Sequence, residues 1–435
     1  MNTRLKQLSV LLNGILTGTL TKHKDGGLQF HYEKSWLETA GARPISLSLP
    51  LSNQPYVGDL VYHFFDNLLP DNELIRARIQ RKFHTESTQP FDLLSSIGKD
   101  CVGAIQLIQG EAHTFKHEIK AEPISNKEIA DLLKNYRTNP LGMANHNDDF
   151  RISIAGAQEK TAFLFHQNQW CKPIGETPTS HIFKLPIGTI QHSQIDLSDS
   201  CENEWLCLKI AEAFGLPTAS SNIQLFNDVK VLVIERFDRK YASDHSWLMR
   251  LPQEDMCQAL GISPNFKYQS DGGPGITEIM DLLLGSNTPD HDRELFFQTQ
   301  ILFWLLAAID GHAKNFSLFI EPEGKYRMTP LYDILSAYPI IAKKQLQKQK
   351  IKMAMALKSE SNHYRWNEIQ KRHFIGAAKN ARFSTSEAEK CLIQMLHNVD
   401  TVITTVSKQL PSNFPAIISD SIFEGMRLSK QRLEG

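Results

Sequence analysis

The sequence predicts an α+β protein, with a mixed α/β N-terminal part over residues 1–254 and a mainly helical part over residues 255–435. Three observations carry this. Apolar runs on either side of Asn13-Gly14 open the chain as an antiparallel meander. Between residues 150 and 254, short apolar runs of strand length flank one helical pattern. After Asp255 the apolar residues recur at helical spacing, broken by one hairpin signal around Pro322-Glu323-Gly324.

Composition sets the frame. The 435 residues suggest two to four domains, at a usual size of about 150 residues each. A hydrophobic content of 41% and a charged content of 22% are those of an ordinary globular protein with a large core. A net charge of −1 excludes a molecule that binds nucleic acid through its overall charge, so any such contact is local. The cysteines (101, 171, 201, 207, 257, 391) show no CxxC pair and no metal-finger spacing. They read as reduced, mostly buried thiols of a cytoplasmic protein. Arg4 and Lys6 precede the apolar run Leu8 to Leu12, but Asn13-Gly14 breaks it, so it reads neither as a signal peptide nor as a membrane segment.

The elements follow in order. Leu8–Leu12 and Ile15–Thr21 form a hairpin on a tight Asn-Gly turn, and Leu28–Tyr32 adds an alternating strand. Arg43 to Pro55 is rich in Pro and Ser and is expected to be extended. Helices are expected over Asp59–Leu69 and Asp71–His84, with Arg76, Arg78, Arg81 and Lys82 as a solvated face of the second. Asn126–Tyr136 reads as helix, and Ile152–Ile154, Thr161–Phe165 and Ile182–Leu185 as strands. A helix follows from about Ser200 to Phe214, with Asp199 and Glu202 as a capping box and Gly215 closing it. Val231–Ile234 is a continuous apolar strand. Helices are expected over 276–285, 291–309, 364–380, 386–408 and 414–433.

The stretch Ile301 to Phe316, ILFWLLAAIDGHAKNF, carries the chemistry. An apolar run too short to span a membrane ends in Asp310-Gly311-His312-Ala313-Lys314-Asn315. It reads as a buried helix, closed by Gly311, that delivers Asp310 into a short polar loop. Asp310 and Asn315 have the D-x-x-x-x-N spacing of a protein-kinase catalytic loop. A hairpin then leads to Asp333. Its two ends are neighbours, so Asn315 and Asp333 are expected close together, as two hard oxygen ligands suited to Mg²⁺ with bound phosphates. Asp310 beside them would accept a hydroxyl proton.

Upstream lie candidate nucleotide parts. Neither a Walker A motif nor GxGxxG is present. The small-residue loop Ala155-Gly156-Ala157-Gln158-Glu159-Lys160 lies between two expected strands, and its backbone N–H groups can wrap phosphate oxygens. Lys184 stands inside an apolar strand, where an ammonium needs a partner: phosphate oxygens, or Glu202 or Glu204 on the next helix. Glu235-Arg236-Phe237 ends the most apolar strand, where backbone groups can meet an adenine edge. The order of parts, from phosphate loop through strand lysine, glutamate-bearing helix, hinge and Asp-x-x-x-x-Asn to the final Asp, is that of a protein kinase. The His-Arg-Asp and Asp-Phe-Gly spellings are absent.

With these residues in hand, the sequence resembles the HipA family, the kinase toxins of HipBA toxin–antitoxin systems. The resemblance rests on RPISLSLPL (43–51), FFDNLLPDN (64–72), QPFDLLSSIGKDCVGA (89–104) and FRISIAGAQEKTA (150–162). It continues through VIERFDR (233–239), RLPQEDMCQALG (250–261), DGGPGI (271–276), DGHAKNFS (310–317) and LYDILSAYP (331–339). It implies a serine/threonine protein kinase of two-lobe, kinase-like arrangement, with an α/β N-terminal domain and an all-helical C-terminal domain. Asp310 would be the catalytic base, and Asn315 and Asp333 the Mg²⁺ ligands. Lys184, the loop 155–160, Glu235 to Phe237, His312, Lys314 and Tyr332 would form the ATP site. Ser153 matches the family's autophosphorylated serine, whose modification is expected to eject the loop and switch the kinase off. The resemblance further implies glutamyl-tRNA synthetase as substrate, with translation arrest and dormancy. It implies a helix-turn-helix HipB-type antitoxin partner, and operator DNA approached through Lys379 and Arg382, which helical spacing puts on one face.

Two other readings stand beside this one. Asp310, His312 and Asp333 could serve a metal-dependent phosphoesterase, or the chain could be a catalytically silent co-repressor on DNA. Residues 105–140 are uninformative, and the basic stretch Lys343 to Lys352 reads as a mobile loop that could alter partner choice.

Overall fold

The computed structural model describes residues 6–110, 117–138, 158, 160–190 and 194–434. The α+β class holds, but the chain does not divide at residue 254. One compact unit comprises Met1–Leu185, Gln224–Asn265 and Ser317–Tyr326; the other comprises Pro186–Ile223, Phe266–Phe316 and Arg327–Gly435. The segment Ser317–Tyr326, expected as an interruption of the helical part, belongs to the first unit.

The first unit opens as expected. Strands Lys6–Leu12 and Ile15–Lys22 pair antiparallel. Asn13 and Gly14 both take positive φ (51° and 79°), as a tight primed turn requires. Leu28–Tyr32 pairs with the second strand, Tyr56–Val57 forms one edge, and Ile105–Gln109, not foreseen, closes the other beside the first strand. Helices Asp59–Asp66, Glu73–Phe83 and Pro90–Ile97 belong to the same unit, their apolar faces joining the strands in one core around Phe30, Tyr32, Phe64 and Phe65. Arg76 is not on a solvated face. It is buried, and its guanidinium pairs with Asp66 at 2.5 Å while Nε donates to Pro70 O. A buried guanidinium needs such a partner, and Arg81 alone of the expected cluster is exposed.

Residues 43–55 contain no helix or long strand, yet they are firmly held. Tyr32 Oη donates to Leu49 O at 2.5 Å and accepts from Ile45 N at 2.9 Å. Glu254 Oε1 accepts from Leu47 N at 2.8 Å, and Oε2 meets Ser46 Oγ at 2.5 Å. Burial pushes the Glu254 carboxyl up to about 8. Asp255 and Gln258 form a capping box on the short helix Met256–Ala259. The stretches RPISLSLPL and RLPQEDMCQALG are thus two sides of one buried polar contact.

Among the described residues, the second sheet of this unit has six strands. Its central members are Val229–Glu235, His181–Lys184 and Lys160–His166, all antiparallel. Helix Asn126–Thr138 contributes Ile129, Ala130 and Leu133 to a core with Phe163, Phe183 and Val231. The expected strand Ile152–Ile154 lies outside the described residues. A further strand, Gln253–Asp255, pairs with Ser317–Ile320.

The second unit is mainly helical but not all helical. Helices Ser200–Ala213, Ile276–Leu283, Pro289–Leu305, Lys371–Asn380, Thr385–Ser407 and Ala416–Glu434 form it. Strands Lys352–Lys358 and Asn362–Arg365 add a hairpin where helix was expected from residue 364. Trp304 and Trp366 anchor the core reciprocally: each indole N–H donates to the other's carbonyl, at 3.1 and 2.8 Å. Gly425 is required by packing, because a Cβ there would come within 2.5 Å of the Tyr338 ring. Asp199 precedes its helix without capping it through the side chain; it pairs with Lys343 at 3.1 Å instead. Gly215 (φ 84°) ends that helix as expected. Every cysteine is buried and unbonded to another. Among the described residues no helix is long and apolar enough to cross a membrane.

Candidate active site

The helix Pro289–Leu305 ends earlier than its apolar run. Leu306 caps it and Ala307 takes the left-handed conformation (φ 48°), the role expected of Gly311. Gly311 is needed for space: a Cβ there would come within 2.2 Å of the Phe303 ring. The chain then turns at once, because Asp310 O accepts from His312 N at 2.8 Å and from Asn315 Nδ2 at 2.7 Å. A single 3₁₀ turn, Ala313–Asn315, follows. Asp310 is exposed, while His312, Lys314 and Asn315 are buried. The five-residue spacing is therefore a closed loop braced by Asn315, with the carboxylate of Asp310 facing outward.

Asp333 reaches the same locality. Leu331 pairs with Thr218 in a parallel bridge, through Leu331 N to Pro217 O (2.8 Å) and Ala219 N to Leu331 O (2.9 Å). Tyr332 Oη donates to Lys314 O at 2.9 Å, tying the residue before Asp333 to the residue before Asn315. Asp333 itself takes φ 59°, a conformation uncommon outside glycine that Asp and Asn tolerate best and that clusters at functional sites. Asn315 spends Nδ2 on Asp310 O, which leaves Oδ1 as the atom it offers to a cation. With the Asp333 carboxylate this is a hard oxygen set that fits Mg²⁺.

One residue of this site escaped the sequence reading. Tyr268 Oη donates to Asp310 Oδ1. Its ring stands edge-on to His312 at 4.9 Å, and Lys267 O accepts from Ala313 N. The segment is shaped by DGGPG: Gly273 N donates to Tyr268 O, and a Cβ on Gly273 would lie 1.8 Å from Phe266 O. A tyrosine just before a glycine-rich turn was the available signal. Tyr268 fixes one carboxylate oxygen, Oδ1; Oδ2 is the oxygen that a substrate hydroxyl would meet if Asp310 is the base. Tyr268→Phe keeps the ring and removes only the donor. A hydrogen bond to a charged group is worth about 1.5–3 kcal/mol, so kcat should fall roughly 10- to 100-fold with KM for nucleotide unchanged. Steady-state kinetics giving wild-type kcat would remove Tyr268 from the site.

The first unit holds the expected nucleotide residues. Lys184 is 5% exposed and lies directly opposite Lys160 in the strand register. Gln158 Nε2 donates to Leu185 O at 2.6 Å. Ser153, Ala155, Gly156, Ala157 and Glu159 lie outside the described residues. Glu235 is exposed at the strand end, and Phe237 stacks edge-on against Phe319 at 5.8 Å. The Arg236 side chain is not available to a nucleotide. It is buried against Asp238 (2.9 Å) and Asp100 (3.3 Å), so only the backbone at 235–237 can serve an adenine. Lys379 and Arg382 do not share a helix face: the helix ends at Asn380, Arg382 takes φ 53°, and its guanidinium pairs with Asp281 at 2.6 Å.

Comparison with known proteins bears on this geometry. A family model for the HipA-like C-terminal domain matches residues 152–403, and one for the HipA N-terminal domain matches residues 8–108. The chain is 31% identical over 347 residues to Y4mE of Sinorhizobium fredii, which bears a kinase name, covering 78% of this chain and 80% of that one. It is 26% identical over 317 residues to the serine/threonine-protein kinase toxin HipA of Shewanella oneidensis, covering 70% and 69%. In fold it is similar to a solved chain of the Shewanella oneidensis HipA, HipB and operator DNA complex. The TM-score is 0.82 at 22% identity, over 98% of this chain and 97% of that one. The matched segments contain the Asp310 loop, Asp333 and the strands bearing Lys160 and Lys184, and on these grounds the chain belongs to the HipA family.

Proposed function

We propose that this protein is a toxin serine/threonine kinase that transfers the γ-phosphoryl group of ATP to a serine hydroxyl of a protein, with Mg²⁺ as its metal. The observation that carries this is the outward carboxylate of Asp310, held by Tyr268 on a loop whose backbone Asn315 braces, beside the Asp333 segment. In this reading Asp310 accepts the proton of the serine hydroxyl as its oxygen attacks the γ-phosphorus. The bond to the β–γ bridging oxygen breaks and ADP leaves. Lys184 and Lys160 hold phosphate oxygens, the loop 155–160 covers them, and the backbone at 235–237 holds adenine, with His312, Lys314 and Tyr332 shaping the site. Asn315 and Asp333 would hold Mg²⁺, which would supply neutralisation of the phosphate charge.

The family reading extends further. The acceptor is a serine of glutamyl-tRNA synthetase, and its modification arrests translation and promotes dormancy. A HipB-type helix-turn-helix protein is the antitoxin and brings this chain to operator DNA; Lys379, whose ammonium is exposed, remains the candidate phosphate contact. Autophosphorylation at Ser153 adds about −1.5 to −2 charge beside a loop meant to hold phosphates, and like-charge repulsion turns the kinase off. Intact-mass analysis after incubation with Mg-ATP tests this. One added phosphate mapping to Ser153, absent from Ser153→Ala and accompanied by loss of activity, is expected. A different sole site, or full activity of the phosphorylated protein, would refute the switch.

A further inference from the structure

The basic stretch Lys343 to Lys352 is not a loose loop. Lys343 Nζ pairs with Asp196 (2.9 Å) and Asp199 (3.1 Å), and Gln345 Oε1 accepts from Asp196 N at 3.0 Å. A 3₁₀ turn, Lys348–Lys350, leads into the strand Lys352–Lys358. The segments that flank it on either side are tied to residues next to the Asp310 loop. At the start, Ser336 Oγ donates to Leu306 O (2.6 Å) and Ala337 N to Ala307 O (3.1 Å), just before the Asp310 loop. At the far end, Ala356 N donates to Gln269 Oε1 at 2.7 Å, and Gln269 follows the tyrosine that holds Asp310. Lys352 precedes Ala356 by four strand residues, roughly 13 Å at about 3.3 Å per residue.

The charge on this turn is not used by the fold. Lys344, Lys348, Lys350 and Lys352 are exposed, and among the described residues none of them forms an ion pair. Lys352 lies directly opposite Arg365 across the hairpin; Arg365 is itself paired with Glu368 at 3.1 Å, and Lys352 is not. The stretch KKQLQKQKIK contains neither an acid to relieve this charge nor an aromatic ring on which a base could stack. We infer that this lysine turn is the docking surface for an acidic segment of the protein acceptor, near the phosphorylated serine. The inference rests on the kinase reading and names its substrate class. The anion belongs to the molecule whose hydroxyl meets Asp310, because the segments on both sides of the turn are tied to the neighbours of that loop. Lysines, as point charges on flexible stems, suit carboxylates of no fixed geometry.

The test uses the full chain and two sets of labelled serine peptides. One carries glutamates four to six residues before or after the serine, and the other carries glutamines there. Wild type should phosphorylate the better glutamate peptide with kcat/KM about tenfold higher, mostly through KM, and the preference should shrink as salt screens the charges. Replacing the four lysines by glutamine (Lys344→Gln, Lys348→Gln, Lys350→Gln, Lys352→Gln) should abolish the preference and leave the glutamine peptide's kcat/KM unchanged. The matching lysine-to-arginine variant should keep the preference. Peptide binding is followed separately by fluorescence anisotropy. Equal binding of the two peptide sets, or a preference that survives the glutamine variant, overturns the docking surface. So does lysine-dependent binding of a single-stranded RNA 20-mer without any glutamate preference. Lysine-dependent glutamate binding without phosphoryl transfer leaves the surface standing and overturns the kinase reading.

Discussion

Asp310→Gln is expected to lower phosphoryl transfer by ~10²–10⁴-fold, the usual contribution of a general base, while nucleotide binding stays nearly intact. The argument is geometric. The Asp310 backbone is locked by His312 N and Asn315 Nδ2 on its carbonyl, and the side chain is steered by Tyr268. Glutamine removes the basic oxygen and displaces the head group by one methylene. The loop bracing uses only the backbone carbonyl of residue 310, so the fold and the Asn315 and Asp333 donors should survive. Loss of kcat with an unchanged nucleotide Kd by calorimetry is the expected pattern. Turnover within a few-fold of wild type would remove Asp310 as the base. Loss of nucleotide binding together with kcat would make it a binding residue.

Local features of this molecule are legible in the sequence, and features assembled from distant segments are not. The Asn13-Gly14 hairpin, the helix ended by Gly215 and the Asp310–Asn315 loop each depend on neighbouring residues, and each is found where spacing and turn chemistry place it. The Asp333 position follows from the Tyr332–Lys314 link, which the hairpin reading anticipated only as proximity. Gly311 was credited with ending a helix that Ala307 ends, because a steric demand from Phe303 and a backbone demand look alike in sequence. Arg76 and Arg236 read as surface or ligand-facing residues because their partners, Asp66 and Asp100, come from other elements. Asp199 with Glu202 matches a capping box, but Lys343 competes for the carboxylate from far along the chain. The partner of Tyr268 is hidden for the same reason: its target is 42 residues away, and only the glycine-rich turn after it marks the position.

Asp100→Asn is expected to cost about 3–5 kcal/mol of stability, the usual consequence of removing one partner from a buried ion cluster. Asp100 meets Arg239 at 2.8 Å, Arg250 at 3.2 Å and Arg236 at 3.3 Å, and accepts from Thr179 Oγ1 at 2.7 Å. Asp238 adds contacts to Arg236 (2.9 Å) and Arg239 (3.0 Å). All of these groups are buried; Thr179 leads into the strand carrying Lys184, and Arg236, Asp238 and Arg239 follow the strand ending at Glu235. Asparagine preserves shape but leaves three guanidinium groups facing one carboxylate. Burial works to raise the Asp100 carboxyl, but Arg239, Arg236, Arg250 and Thr179 outweigh it and hold the group below the ordinary carboxylate range. Its folded-state pKa is therefore below the unfolded one. Its contribution is complete above the unfolded value of about 3.9 and is lost as pH falls through the folded value. Thermal unfolding at neutral pH should show the transition of this unit lowered by roughly 6–20 °C, at about 2–4 °C per kcal/mol for its size. The exposed pair Lys6–Glu86 supplies the contrast: Glu86→Gln should cost less than about 1 kcal/mol. The difference between wild type and Asp100→Asn should narrow as the pH is taken below about 4, because wild type then loses the interaction the variant already lacks. If Asp100→Asn destabilises no more than Glu86→Gln at neutral pH, or the gap does not narrow in acid, the cluster does not hold this unit together.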